Sequence, residues 1–222
     1  MMLLNNREVK VFEREYQWLS NLPFWRMENI LICGTFESKQ LDKFARAVYT
    51  GRNKLNRLNI AAHETGHAIV MEATHLNCVG DAVIDVKYHP EGRLGWVTPY
   101  REHKEASEPI EQEGMPCKPL VIIDILMTSG GFVGQSLTGK KTGSNHEKFL
   151  IYCRCRYIDD MAGMEPITAW NHFVPWCERI ILNNEDLFWR ITDDLLANSE
   201  LTESCKIFLR SRIRKEPLEL FF

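Results

Sequence analysis

The chain has no dominant charge: 27 Lys and Arg stand against 30 Asp and Glu in 222 residues, a net charge of −3. So weak a balance supplies no electrostatic footprint for nucleic acid and no acidic tail. Long apolar runs are missing too. The most apolar stretch, Leu120 to Met127, is interrupted by Asp124 and falls far short of the ~20 residues that span a bilayer, so no membrane segment is expected. Nor does the start read as a signal peptide, because Met1-Met2-Leu3-Leu4 runs at once into Asn5, Asn6, Arg7 and Glu8. The seven cysteines are odd in number and scattered, which argues against a disulfide framework. Cys153-Arg154-Cys155 has no second close pair to complete a four-ligand site, and residues two apart on a helix point in different directions. Reduced, buried thiols in a cytoplasmic protein are expected. There are no internal repeats and no low-complexity tract. A phosphate-binding loop is also lacking, since Gly139-Lys140-Lys141-Thr142 has neither the upstream glycine spacing nor a preceding strand.

What remains is an ordinary globular composition, 45% hydrophobic and 26% charged, long enough for one large domain or a domain with an extension. Residues 1–50 are weakly patterned, with a short strand expected over Asn29–Cys33 and a helix over Ser38–Tyr49 capped by Ser38. A long buried helix is expected over Lys54–Leu76. A hairpin follows, Val83–Lys87 and Leu94–Thr98 flanking the turn-rich His89-Pro90-Glu91-Gly92-Arg93. Residues 99–118, rich in proline and glutamate, are long for a loop and read as a mobile flap. Helices are then expected over Pro119–Leu137, Ser144–Asp160, Ile167–Leu182 with a kink at Pro175, Glu185–Ala197 capped by Asn184, and Leu201–Arg214.

The long helix contains AAHETGHAIV, in which His63-Glu64-Thr65-Gly66-His67 has the form H-E-x-x-H. Four residues make about one turn, so His63 and His67 share a face and can ligate one zinc ion. Glu64 lies beside that face, placed to take a proton from a zinc-activated water whose pKa falls to ~7. Such a pentapeptide arises by chance in roughly 2% of chains of this composition, and two histidines on an otherwise apolar helix cost burial energy unless something satisfies them. Both points favour a zinc site over hydrogen-bonded core histidines. A third ligand is required, and His146, Glu147, Asp124, Asp159 and Asp160 all qualify. His75 lies too far along the same helix.

Four stretches resemble the peptidase domain of the FtsH-type AAA zinc proteases. Ala62-His63-Glu64-Thr65-Gly66-His67-Ala68 resembles the family's zinc helix, and the hairpin over Val83–Thr98 is similar to the strands after it. GFVGQSLTG over Gly131–Gly139, followed by Thr142-Gly143-Ser144-Asn145-His146, resembles G-R-A-A-E-E-L…G and T-G-A-S-N-D. Asn183 to Leu209 echoes the family's C-terminal helices. The resemblance covers roughly residues 55–212. It implies that the third zinc ligand is His146, standing where the family has aspartate, and that Glu64 is the general base. Gln135 and Ser136 replace two family glutamates, and the family's ATPase module has no counterpart here.

The expected protein is therefore mostly α (α+β), a zincin-like peptidase domain with a small β-hairpin over residues 51–222, preceded by an extension over 1–50. Zn2+ would be held by His63, His67 and His146. The expected activity is ATP-independent hydrolysis of a peptide or unfolded protein segment, with a homo-oligomer allowed and no nucleic-acid partner expected. The alternative is a regulatory or scaffold protein that keeps the fold, and the zinc, without hydrolysis.

Overall fold

The computed structural model describes residues 4–22, 56–74, 79–84, 95–99, 118–139 and 145–216. Among these the chain is mostly α, with one two-stranded antiparallel sheet. The elements are α1 (Asn6–Leu19), α2 (Arg57–Ala73), β1 (Val79–Ile84), β2 (Gly95–Pro99), α3 (Lys118–Ser136), α4 (Asn145–Ala162), α5 (Thr168–Leu182), α6 (Glu185–Asn198) and α7 (Glu203–Arg212).

α2 is the central helix, packed against α3, α5, α6 and both strands. It starts at Arg57 rather than Lys54 because Asn56 and Asn59 form a reciprocal cap, Asn56 Oδ1 accepting the Asn59 N–H at 2.8 Å. Its far end is closed by the returning C-terminal segment. The Glu216 N–H donates to the Ala73 carbonyl at 2.9 Å, and Lys215 Nζ donates to the Glu72 carbonyl at 2.7 Å. These donors satisfy carbonyls that a helix end leaves without partners, so α2 ends at Ala73, short of the expected Leu76.

α2 and α3 meet through glycine. A Cβ on Gly66 would stand 2.7 Å from the Gly130 carbonyl carbon and 3.1 Å from Gly134 Cα. Only bare backbone allows so close a crossing. That approach puts α3 directly beneath the face of α2 that carries His63 and His67.

Within the span read as unpatterned, α1 is a capped amphipathic helix: Asn5 Oδ1 accepts the Glu8 N–H at 2.9 Å and Glu8 returns the bond. It lies along α4. Phe12 packs edge-on to Phe149 at 5.2 Å, and the α4 residues Lys148, Tyr152, Arg156 and Asp160, four apart, contact Glu8, Glu13 and Tyr16 of α1. The expected strand over 29–33, the helix over 38–49 and the boundary at 50/51 lie outside the described residues, as do residues 100–117 of the expected flap.

The first strand begins earlier than expected and overlaps the expected one only at Val83 and Ile84. It has two neighbours. On one side Val83 pairs with Trp96, Ile84 with Gly95 and Ala82 with Val97. On the other, the Ile84 N–H donates to the Ser199 carbonyl and the Leu201 N–H to the Ala82 carbonyl, both at 2.8 Å. Ala82 and Ile84 thus direct their backbone groups away from β2. Residues facing each other in such an antiparallel pair do the same, so the N–H and C=O of Gly95 and Val97 point off the sheet's outer edge. No described strand pairs with them.

The remaining helices stand close to the expected spans, with two corrections. Asn184 stands at the N-cap position of α6, as expected, but its side chain makes no capping hydrogen bond; that side chain donates to the Ile180 carbonyl at 2.9 Å and accepts the Arg214 N–H at 2.8 Å. α7 begins at Glu203, where Thr202 accepts the Cys205 N–H at 3.3 Å. Cys153, Cys155, Cys177 and Cys205 are buried thiols outside any disulfide. No helix among the described residues is long and apolar enough to cross a membrane.

Candidate metal centre

His63 and His67 project from one face of α2 and their rings meet edge-on, centroids 4.8 Å apart. The two Nε2 atoms stand 3.2 Å apart. Glu147, in the first turn of α4, completes a triangle: its Oε1 lies 3.0 Å from His63 Nε2 and 3.5 Å from His67 Nε2. Both histidine side chains are 18% exposed and that of Glu147 21% exposed, so the cluster is held by the core yet reachable from solvent on one side.

The donor set fits a tetrahedral cation. Ligands held at ~2.0–2.1 Å on tetrahedral corners stand about 3.3–3.4 Å from one another, and the three edges here are 3.2, 3.0 and 3.5 Å. A carbonyl can only accept, so His67 Nδ1–H donates to the Met127 oxygen at 2.7 Å, leaving Nε2 as the lone-pair donor toward the triangle. Glu147 Oε2 is buried with no hydrogen-bond partner among the described residues, an expense that a cation gripped by both carboxylate oxygens would offset.

In the metal-free chain a proton competes for the same donors. Burial lowers the His63 pKa, but the charge and hydrogen bond of Glu147, the charge of Glu64 and the accepting side chain of Gln135 outweigh it and raise the pKa to about 9. Burial raises the Glu147 pKa, and the two histidines more than reverse this, holding the carboxyl well below its ordinary range. A protonated His63 paired with an ionised Glu147 therefore occupies the cluster at neutral pH. On the histidine side, this stabilisation is fully present below its unfolded value of ~6.5 and is lost as pH rises through about 9. On the glutamate side it is present above the ordinary carboxylate range and is lost in strong acid. A cation must displace the His63 proton. Zinc uptake near neutral pH should release close to one proton, and apparent affinity should climb about tenfold per pH unit until about pH 9. Calorimetry in buffers of different ionisation enthalpy measures the released proton; none released near neutrality would contradict the ion pair.

Of the other residues weighed as a third ligand, none described is brought to the pair. Asp124 faces Arg154, its Oδ2 lying 3.9 Å from Nη2. Asp159 accepts the Ala169 N–H at 2.8 Å, and Asp160 accepts the Tyr16 hydroxyl at 2.9 Å. His146 is the second residue of α4, and its side chain lies outside the described residues. Glu64 is buried, 5% exposed, and its charge acts on His63. Two contributors escaped sequence reasoning, the Met127 carbonyl and Gln135. A backbone acceptor leaves no mark in a sequence, whereas Gln135 stood out as a departure from a family glutamate.

No protein-family model matches the chain, and no curated protein matches it. The resemblance to the FtsH-type peptidase domain rests on the motifs quoted for it.

Proposed function

We propose that the chain is a zinc-dependent peptidase with a zincin-like centre, in which His63, His67 and Glu147 hold the metal and Glu64 is the general base. The observation that carries this reading is the triangle of donor atoms, 3.0 to 3.5 Å on a side, within an H-E-x-x-H helix. Glu147 is chosen over the expected His146 for two reasons. Successive helix side chains differ by about 100°, so only one of the two can face the pair, and a carboxylate in a first helical turn gains from the helix dipole where a neutral imidazole does not. Two histidines and a carboxylate also suit ferrous iron; Glu64 beside the pair is what favours hydrolysis. Bound there, zinc would supply Lewis-acid chemistry and bring the pKa of a water to ~7. Glu64 takes the proton released as a peptide carbonyl is attacked and passes it to the departing amine.

The sheet edge gives the substrate its place. β2 packs on α2, and the outward backbone groups of Gly95 and Val97 offer an extended segment a strand to pair with. An edge of this kind pairs with an extended chain, so the substrate is a peptide or an unfolded segment. Gly95→Pro removes an N–H that points off the sheet, a position where an edge strand tolerates proline. It should raise KM several-fold with zinc content unchanged; an unchanged KM would count against edge pairing.

Hydrolysis of an unstructured protein by the zinc-loaded chain, its loss on chelation and its return with added zinc test the proposal. Hydrolysis indifferent to the chelator, or none from the fully loaded chain, would contradict it.

A further inference from the structure

Residues 127, 131 and 135 of α3 are four apart and share one stripe of that helix. All three meet the histidine pair. The Met127 carbonyl accepts a hydrogen bond from His67 Nδ1 at 2.7 Å, and the buried Gln135 side chain is near enough to His63 to favour its protonated ring. Between them Gly131 presents no side chain. A Cβ there would stand 2.7 Å from His63 Nε2 and nearer still to His67 Nε2. Donor atoms hold divalent cations at ~2.0–2.6 Å, so that carbon would claim the room a shared cation needs.

We propose that this stripe is the positioning template of the metal centre: Met127 and Gln135 turn the two imidazoles, and Gly131 keeps room at their Nε2 atoms for the cation. The inference rests on the metal reading above. What separates Gly131 from its neighbours is the kind of atom it crowds. A Cβ on Gly130 would meet the Gly66 carbonyl carbon at 2.9 Å and His67 Cα at 3.2 Å, and one on Gly134 would meet Gly66 Cα at 2.9 Å. Backbone cannot yield there without parting α2 from α3. At Gly131 the nearest atoms are all imidazole atoms, which swing aside by side-chain rotation. Gly131 is therefore a positioning residue for the metal, and Gly130 and Gly134 are packing residues for the fold.

The test uses the full chain as wild type, Gly131→Ala and Gln135→Leu. Zinc affinity is read by competition with a chromophoric chelator, folding by circular dichroism and thermal midpoint, and ring geometry by imidazole nitrogen chemical shifts. The expected result is wild-type binding, an affinity lower by roughly 100-fold or more in Gly131→Ala with the metal-free midpoint within a few degrees, and a loss of roughly 10–100-fold in Gln135→Leu. Shifted imidazole resonances in the metal-free Gly131→Ala protein would support the displacement of the rings. If wild type binds zinc and both variants bind within about threefold of it, the stripe falls and the metal centre stands. If Gly131→Ala does not fold, the division between space-keeping and packing is wrong, and an unweakened Gln135→Leu would then remove the template as well. A wild-type chain that takes up no zinc would bring down the metal reading and the template together.

Discussion

Glu64→Gln should lower peptide hydrolysis by roughly 10²–10⁴-fold, the range that a positioned general base contributes, while leaving zinc content and fold in place. An amide has nearly the shape of the carboxylate but cannot accept a proton at neutral pH. Glu64 is 5% exposed in the middle of α2, so its replacement by an isostere disturbs packing little, and the thermal midpoint should stay within a few degrees. It is not one of the three donors in the triangle, so zinc stoichiometry should hold. Those three readouts, rate, metal content and midpoint, separate a base from a structural residue. Full activity in Glu64→Gln would remove the mechanism, and a parallel loss of zinc would assign Glu64 to the metal instead. A chain that binds zinc stoichiometrically and hydrolyses nothing even as wild type would be the regulatory protein of the alternative reading.

Glu147→Ala should weaken zinc binding by roughly 100-fold or more, beyond the 10–100-fold that outer-shell partners cost, whereas His146→Ala should stay within a few-fold. Glu147 supplies the only carboxylate among the described residues that joins both imidazoles. Without it the cation keeps two neutral donors and loses the negative charge that lies 3.0 and 3.5 Å from their nitrogens. The substitution also removes the principal charge that keeps His63 protonated, so the His63 pKa should fall from about 9. The proton released on zinc uptake near neutral pH should then shrink with it. The reverse order of affinities, with His146→Ala the weaker binder, would restore the three-histidine set implied by the family resemblance.

That one-residue difference shows where a sequence stops informing. The pairing of His63 with His67 follows from helix spacing alone, and the burial of their helix from its being apolar on nearly every side between Ile60 and Met71. Choosing between His146 and Glu147 requires the azimuth of α4 against α2, which is set by packing between helices far apart in sequence. α1 was legible in principle: Asn5 and Glu8 form a capping box, and Phe12, Tyr16 and Leu19 follow helical spacing on its buried side. Its surroundings, rather than its own residues, made the N-terminal span look unpatterned. β1 was harder, because Gly80 and Asp81 are poor strand formers and the strand is fixed from both sides, by β2 and by residues 199–201. Asn184 marks the start of α6 as its type suggests, but its amide is engaged by Ile180 and Arg214 instead of the helix's own N–H groups. The glycines at 66, 130 and 134 give no sign in isolation that they are partners in one crossing.

X-ray absorption at the zinc edge of the loaded chain reads the ligand set itself. Two imidazoles and a carboxylate should give a first shell of nitrogen and oxygen at ~2.0–2.1 Å with no sulfur. Two imidazoles should contribute to the outer-shell scattering, and one of them should be lost in His63→Ala. A third imidazole, a sulfur ligand, or a spectrum unchanged by His63→Ala would contradict a centre built from His63, His67 and Glu147.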